Sequence, residues 1–175
     1  MFQNKKAWEY NAYEFWLKNS GTPVDRAKED LENPLGMLKR YSDYFDVVFM
    51  EGGVLHYFHD INEFMRIMHS LLKDGGKMIC SDFHPFTKIS DILNFEQPTM
   101  SYFSKEVFEG EMAHARFFEE SIREQMPKCS YRKYTISEII NSVINSGFAL
   151  RKFDEHPAWT NEKIPGEFTI VASKQ

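Results

Sequence analysis

The chain has 175 residues, of which 42% are hydrophobic and 27% are charged, so it is long enough to bury one hydrophobic core. Aromatic residues make up 15% of the chain against only 9 Gly and 7 Pro, which excludes a disordered or linker-dominated polypeptide. The formal net charge of -5 argues against a surface that follows nucleic-acid phosphates. We therefore expect one globular domain with no nucleic-acid partner.

The cysteines and the apolar runs indicate the cellular compartment of the protein. Cys80 and Cys129 lie far apart and lack the spacing of a metal site, and the amino terminus has no apolar run of signal length. No window approaches the 18 apolar residues of a membrane helix. The sequence therefore predicts a cytoplasmic protein without a membrane partner or a bound metal ion.

The first 45 residues have the pattern of three short helices. Apolar side chains recur on one helical stripe: Trp8, Ala12, Phe15 and Trp16. Pro23 and Pro34 each follow a residue that favours a helix start. We expect residues 1–45 to form a helical cap.

A strand–helix–strand unit is predicted for residues 46–82. Residues 47–50 (VVFM) form a continuous apolar run that ends at two glycines, as in a strand buried on both faces. Asp60 begins a helix with a strict apolar stripe, which a DGG turn ends before a second apolar run at residues 77–81. A crossover of this length makes the two strands parallel.

The second half of the chain divides into two regions. Residues 83–134 are rich in aromatics without a clean period, which indicates a lid or an inserted subdomain rather than a sheet. Thr135 and Glu138 form a capping box that starts a helix, and the runs at 148–153 and 168–172 predict two further strands. Residues 135–175 are thus expected to close the domain.

Four stretches of this sequence together resemble the class I S-adenosylmethionine-dependent methyltransferases of the small-molecule type. FDVVFMEGGVLHYFHD (45–60) and LLKDGGKMICSDFHPF (71–86) are similar to the fourth and fifth strands of that family and the turns that follow them. YTISEIINSVINSGFALRKFDEH (134–156) and EFTIVASK (167–174) are similar to its last helix and its sixth and seventh strands. The resemblance implies an α/β, Rossmann-like sheet with an antiparallel final strand.

The sequence departs from the family at its cofactor loop. Such enzymes open their sheet with a Gly-rich turn, followed by an acidic residue for the ribose, yet no G-x-G occurs in this chain. Two strand–helix–strand units of roughly 30 residues each are expected to be absent before residue 46. The sheet is therefore expected to be truncated and S-adenosylmethionine binding to be weak or lost. The strand at 46–50, without its usual neighbour, is expected to be an exposed edge that allows a homodimer.

The resemblance also implies which residues face the cofactor. The positions just beyond the fourth strand are Glu51, Gly52, Gly53, Leu55 and His56. The alternative is that the two glycines only permit a tight turn.

Asp82 and His84 follow the second strand and are the catalytic candidates. A carboxylate and an imidazole there would position or deprotonate the methyl acceptor. The alternative is a turn that the Asp82 side chain stabilises. A metal site built from His56, His59 and Asp60 is disfavoured, because Asp60 is explained as a helix cap.

Two functions follow from this pattern. The first is methyl transfer from S-adenosylmethionine to a small molecule, enclosed by the cap and the aromatic lid. The alternative is a non-catalytic binding or interaction module derived from a methyltransferase, which the missing Gly-rich turn favours.

Overall fold

A computed structural model describes residues 40–88, 101–159 and 161–175 of the chain. The helical cap was predicted for residues 1–45. Residues 1–39 of this cap lie outside the described ranges. The strands are β1 (Phe45–Glu51), β2 (Leu72–Phe83), β3 (Val107–Gly110), β4 (Cys129–Arg132), β5 (Phe148–Ala158) and β6 (Asn161–Lys174). The helices are α1 (Ile61–Leu71), α2 (Glu120–Arg123) and α3 (Ile136–Asn145). None of the helices in these ranges is long and apolar enough to cross a membrane.

In the described part of the chain the main sheet has four strands in the order β1-β2-β6-β5. β1 and β2 are parallel, whereas β6 lies antiparallel to both of its neighbours. This arrangement confirms the expected α/β fold with parallel strands and an antiparallel final strand.

The two long helices begin at the residues that the sequence indicates. The Asp60 carboxylate accepts the amide N–H of Glu63 at 3.0 Å, which caps α1. Thr135 and Glu138 form the full capping box of α3. Both helices place their apolar stripes against one face of the main sheet, where the fully buried side chains include Met65, Met78, Cys80, Val143, Phe168 and Ile170.

Three elements differ from the sequence-based expectation. β2 begins directly after α1 at Leu72, so the DGG segment belongs to the strand and its pairing with β1 is irregular there. Residues 107–110 and 129–132 form a two-stranded antiparallel sheet inside the region where no sheet was expected. These strands are only four residues long, too short to give a recognisable period in the sequence.

The burial of β1 also differs from the prediction. Within residues 40–88, 101–159 and 161–175 its one strand neighbour is β2, and it is not buried on both faces: Val47 is 50% exposed and Phe49 is 59% exposed. Val48 and Met50 point to the opposite face and pack against the core. The helices of the described residues cover only that second face, which explains why alternate residues of one apolar run differ in exposure.

Candidate functional site

The turn that follows β1 is built on two glycines in the left-handed region. Gly52 has φ +81° and Gly53 has φ +85°, conformations in which a side chain is strained. A Cβ on Gly52 would meet no atom within 4 Å, so the space above it is open. The turn therefore offers bare backbone to the solvent at the carboxyl end of β1.

The carboxylate of Asp82 fixes this turn from the neighbouring strand. One oxygen, Oδ2, accepts the amide N–H groups of Val54 and Leu55, both at 2.9 Å. The Asp82 side chain is only 3% exposed, and the two amides come from residues 27 and 28 positions earlier in the chain. The predicted turn-stabilising role of this carboxylate is thus present, but the turn is the one after β1.

Gly53 lies beneath two aromatic rings. A Cβ at this position would come within 2.7 Å of the Phe83 ring and 3.2 Å of the His56 ring. Phe83 is 44% exposed, so its ring forms part of the outer surface beyond β2. Below it lies a cavity of about 10 Å³, lined by residues including Leu55, Asp82 and Phe83, which has room for about one water molecule.

The small sheet formed by β3 and β4 packs over the same end of β1. Tyr131 on β4 meets the His56 ring edge-on at 6.0 Å and stacks on Phe108 of β3 at 5.8 Å. Tyr57 packs beside Cys129, and burial raises the pKa of Tyr57 to about 12. These contacts place the aromatic residues of the predicted lid beside the Gly52–Gly53 turn.

His84 is buried behind β2 and both of its ring nitrogens are engaged. Nδ1 accepts the amide N–H of Phe86 at 3.1 Å, so the proton of a neutral ring lies on Nε2, 2.9 Å from Glu155 Oε1. Burial lowers the pKa of His84, and the Glu155 carboxylate opposes that shift. The sequence gives no signal for this pair, because 71 residues separate its members.

The predicted cofactor residues differ in their exposure to solvent. Glu51 is exposed, whereas Leu55 is only 2% exposed and belongs to the core. Leu55 can therefore contribute its backbone but not its side chain to a ligand.

The residues considered for a metal site have other partners. His59 Nε2 lies 3.1 Å from the Ser130 hydroxyl, and Asp60 caps α1. Across residues 40–88, 101–159 and 161–175, no group of three or more metal-ligating side chains is clustered. Burial raises the pKa of the Cys80 thiol to about 12, and both cysteines are free and buried.

A larger, open groove of about 540 Å³ lies at the other end of β2, lined by residues that include Gly75, Lys77 and Arg151. Arg151 donates to the Ser173 hydroxyl at 2.8 Å. None of the predicted site residues borders this groove.

Comparisons with known proteins point to one family. Residues 11–80 match the model of the methyltransferase domain. A structure from Listeria monocytogenes, described as an S-adenosylmethionine-dependent methyltransferase, is 19% identical with a TM-score of 0.56. One from Mesorhizobium loti with the same description is 20% identical with a TM-score of 0.52. At this identity the two structures show a shared fold.

The matches cover 77% and 76% of this chain. The chain in turn spans 63% of the Listeria protein and 64% of the Mesorhizobium protein. No curated protein matches the sequence.

Proposed function

We propose that the chain, which has the fold of the class I S-adenosylmethionine-dependent methyltransferases and matches their domain model over residues 11–80, transfers a methyl group to a small molecule. The cofactor would supply an electrophilic methyl group on its sulfonium. The chain's own residues would bind the cofactor, orient the acceptor and limit the access of water.

One observation carries this proposal: Asp82 holds the Gly52–Gly53 turn at the carboxyl ends of two adjacent parallel strands. Ligands of open α/β sheets bind outside this end of the strands. The turn is both open above Gly52 and fixed by a buried carboxylate, so it presents backbone groups in a defined position. A ligand that binds there loses little free energy to loop ordering.

The residues around the turn fit the sulfonium end of the cofactor. Glu51 would place a carboxylate beside the positive charge, the ring of Phe83 offers a face that attracts cations, and the His56 ring lies next to Gly53. We propose that Glu51, Gly52, Gly53 and His56 contact the cofactor, with Leu55 contributing only its backbone.

The adenosine end of the cofactor has fewer partners. The sequence has no G-x-G turn, and we propose that the helix amino terminus and the ribose-binding carboxylate that accompany this turn are lost with it, each worth about 1.5–3 kcal/mol. Losing both contacts costs about 3–6 kcal/mol, or two to four powers of ten in affinity. Starting from an assumed micromolar site, we propose a dissociation constant of roughly hundreds of micromolar or weaker.

In this proposal Asp82 and His84 mainly hold neighbouring groups in place. The Asp82 carboxylate is committed to backbone amides, and the His84 ring is held between Phe86 and Glu155. Methyl transfer to a good nucleophile needs alignment more than a base. Direct proton transfer by either residue stays a prediction.

A non-catalytic binding module is the second candidate. It is favoured by the cavity of about 10 Å³, which is too small for a methyl acceptor. The two candidates differ in whether the Gly52–Gly53 turn binds the cofactor at all.

The test measures the thermal shift that S-adenosylhomocysteine produces in two glycine variants. Gly52→Val fills the open space at the proposed site, whereas Gly75→Val makes the same change at a glycine with φ +76° and equally open space at the far end of β2. We expect the shift to be lost in Gly52→Val and kept in Gly75→Val. No shift in the unmodified chain at about ten times the proposed dissociation constant would favour the binding module.

A further inference from the structure

We propose that the open groove at the far end of β2 binds a small molecule that carries a phosphate group. The groove has a volume of about 540 Å³, which is in the range of pockets that hold small organic ligands. Gly75 and Lys77 border it, whereas the Gly52–Gly53 turn follows the opposite end of the parallel pair β1 and β2. The site is thus separate from the proposed cofactor site and does not depend on the proposed function.

Three neighbouring strands bring two cations to one hydroxyl group in this groove. Lys77 on β2 is the cross-strand partner of Ser173 on β6. Arg151 on β5, on the other side of β6, donates its Nε–H to the Ser173 hydroxyl at 2.8 Å. Cations from both neighbouring strands therefore flank Ser173, and all three residues line the groove.

A β-bulge directs Arg151 to this face of the sheet. Leu150 pairs with Ala172, and Lys152 pairs with Val171. Arg151 is therefore one extra residue opposite two adjacent positions of β6. Leu150 packs against the core, whereas Arg151 is exposed. Bulges of this kind often redirect a side chain toward a binding site.

The Ser173 hydroxyl holds the guanidinium of Arg151 in a defined orientation. Ser173 is only 8% exposed, and its bond uses the Nε–H of Arg151. The two terminal nitrogens of the guanidinium form a fork whose N–H groups suit two oxygens of a phosphate or a carboxylate. Lys77 adds a second, compact positive charge. Two cations match the double negative charge of a phosphate group better than the single charge of a carboxylate.

The other lysines near this site are paired with acidic side chains. Lys174, which also lines the groove, donates to the Asp43 carboxylate. Lys152, beside the bulge, forms an ion pair with Asp154. The chain as a whole has a formal net charge of -5, so attraction of an anion here depends on the two cations that flank the hydroxyl.

Titration of the full chain with ribose 5-phosphate, followed in amide nitrogen–proton NMR spectra, tests the site. We expect saturable binding with a dissociation constant of about 1 mM, and chemical-shift changes at Gly75, Lys77 and Ser173. No saturation up to about 20 mM ligand would overturn the proposal. Shift changes confined to other parts of the chain would overturn it as well.

Two substitutions separate a specific site from general attraction of anions. Arg151→Lys keeps the charge but removes the fork, and Lys77→Gln removes one cation, so each should weaken binding roughly five- to tenfold. The controls make the same changes at the exposed Arg116, as Arg116→Lys, and at Lys73, which is paired with Asp46, as Lys73→Gln. They should change the affinity less than about twofold. Equal effects of the site variants and the controls would overturn the proposal.

Further probes identify the chemical class of the ligand. Inorganic phosphate should bind more weakly than ribose 5-phosphate, because it fills only part of the groove, and ribose and acetate should bind more weakly still. Acetate that binds as tightly as inorganic phosphate would overturn the preference for phosphate. Inorganic phosphate that binds as tightly as ribose 5-phosphate would overturn the contribution of the organic part.

Two glycine variants distinguish this site from the proposed cofactor site. A Cβ on Gly75 would meet no atom of the described residues within 4 Å, so Gly75→Val extends into open space beside Lys77. This variant should weaken the binding of ribose 5-phosphate and keep the thermal shift by S-adenosylhomocysteine, whereas Gly52→Val should do the reverse. Binding of ribose 5-phosphate that Gly75→Val leaves unchanged would overturn the position of the site. A thermal shift by S-adenosylhomocysteine without binding of ribose 5-phosphate would overturn this inference and keep the proposed function.

Discussion

At the scale of single residues, Asp82 connects the ends of two strands through its side chain. Asp82→Ala leaves the amides of Val54 and Leu55 without their acceptor, at a cost of about 2–4 kcal/mol in the free energy of unfolding. Urea denaturation measures this loss. Asp46→Ala removes an exposed carboxylate paired with Lys73 and should cost less than about 1 kcal/mol. Equal costs for the two variants would contradict the role of Asp82.

The two glycines of the turn should respond differently to the same substitution. Gly52→Ala should lower the free energy of unfolding by about 1–2 kcal/mol, because its positive φ strains a side chain while nothing lies near the added Cβ. In Gly53→Ala the added Cβ also clashes with the Phe83 ring, at 2.7 Å. This variant should therefore lose about 1 kcal/mol more in the free energy of unfolding than Gly52→Ala. Phe83→Leu in the Gly53→Ala background should recover part of that difference. Denaturation midpoints of these three variants and of the unmodified chain check the order.

The burial of histidine side chains predicts that the folded protein loses stability in acid. Burial lowers the pKa values of His69, His84 and His114 from the ordinary 6.5, although Glu155 opposes the shift at His84. Below about pH 6.5 the unfolded chain therefore binds more protons than the folded chain, and stability falls with falling pH. Melting temperatures measured from roughly pH 7.5 to 5.5 should decline.

Two histidine variants test how much of the change of melting temperature with pH comes from His114. His114→Gln should reduce this change, because burial alone shifts the pKa of His114, while the exposed control His156→Gln makes the same substitution at the surface. A melting temperature that is constant or rises on acidification would contradict the expectation.

The residue types at the site are readable from the sequence, but their partners are not. Two adjacent glycines after an apolar run predict a turn, and the structure gives both a positive φ. By contrast, the link from Asp82 to Val54 spans 28 residues and that from His84 to Glu155 spans 71. Such contacts depend on the three-dimensional arrangement of the strands, which no local pattern encodes.

At the scale of elements, the capping box of α3 gives a direct test. The Thr135 hydroxyl accepts the amide of Glu138 at 3.2 Å, and the Glu138 carboxylate accepts the amide of Thr135 at 3.0 Å. Thr135→Ala should lower the free energy of unfolding by about 1 kcal/mol, while Thr135→Ser should retain most of it. Loss of the same size in both would show that the methyl group, and not the cap, stabilises the helix.

Elements with a strong period were predictable and those without one were not. α1 and α3 have capping residues and an apolar stripe, so their positions follow from the sequence. β3 and β4 have four residues each and contact one another across a long separation, which leaves no local signal. Val47 and Phe49 of β1 are exposed because the helices of the described residues cover only the opposite face of the sheet, and an apolar run alone does not encode which face is covered.

At the scale of the whole molecule, the four-stranded sheet retains the strand ends where a ligand of this fold would bind. The Gly52–Gly53 turn, the Asp82 carboxylate and the ring of Phe83 all lie at the carboxyl ends of β1 and β2. The chain spans 63% and 64% of the two similar structures. We propose that these strand ends form a weak S-adenosylmethionine site.

Isothermal titration of the unmodified chain with S-adenosylmethionine tests this claim most directly. We predict a dissociation constant of roughly hundreds of micromolar, and Glu51→Ala should weaken the binding further. Low-micromolar binding that Glu51→Ala abolishes would contradict the weak site and indicate a complete one. Absence of heat at about 5 mM ligand would contradict the site itself.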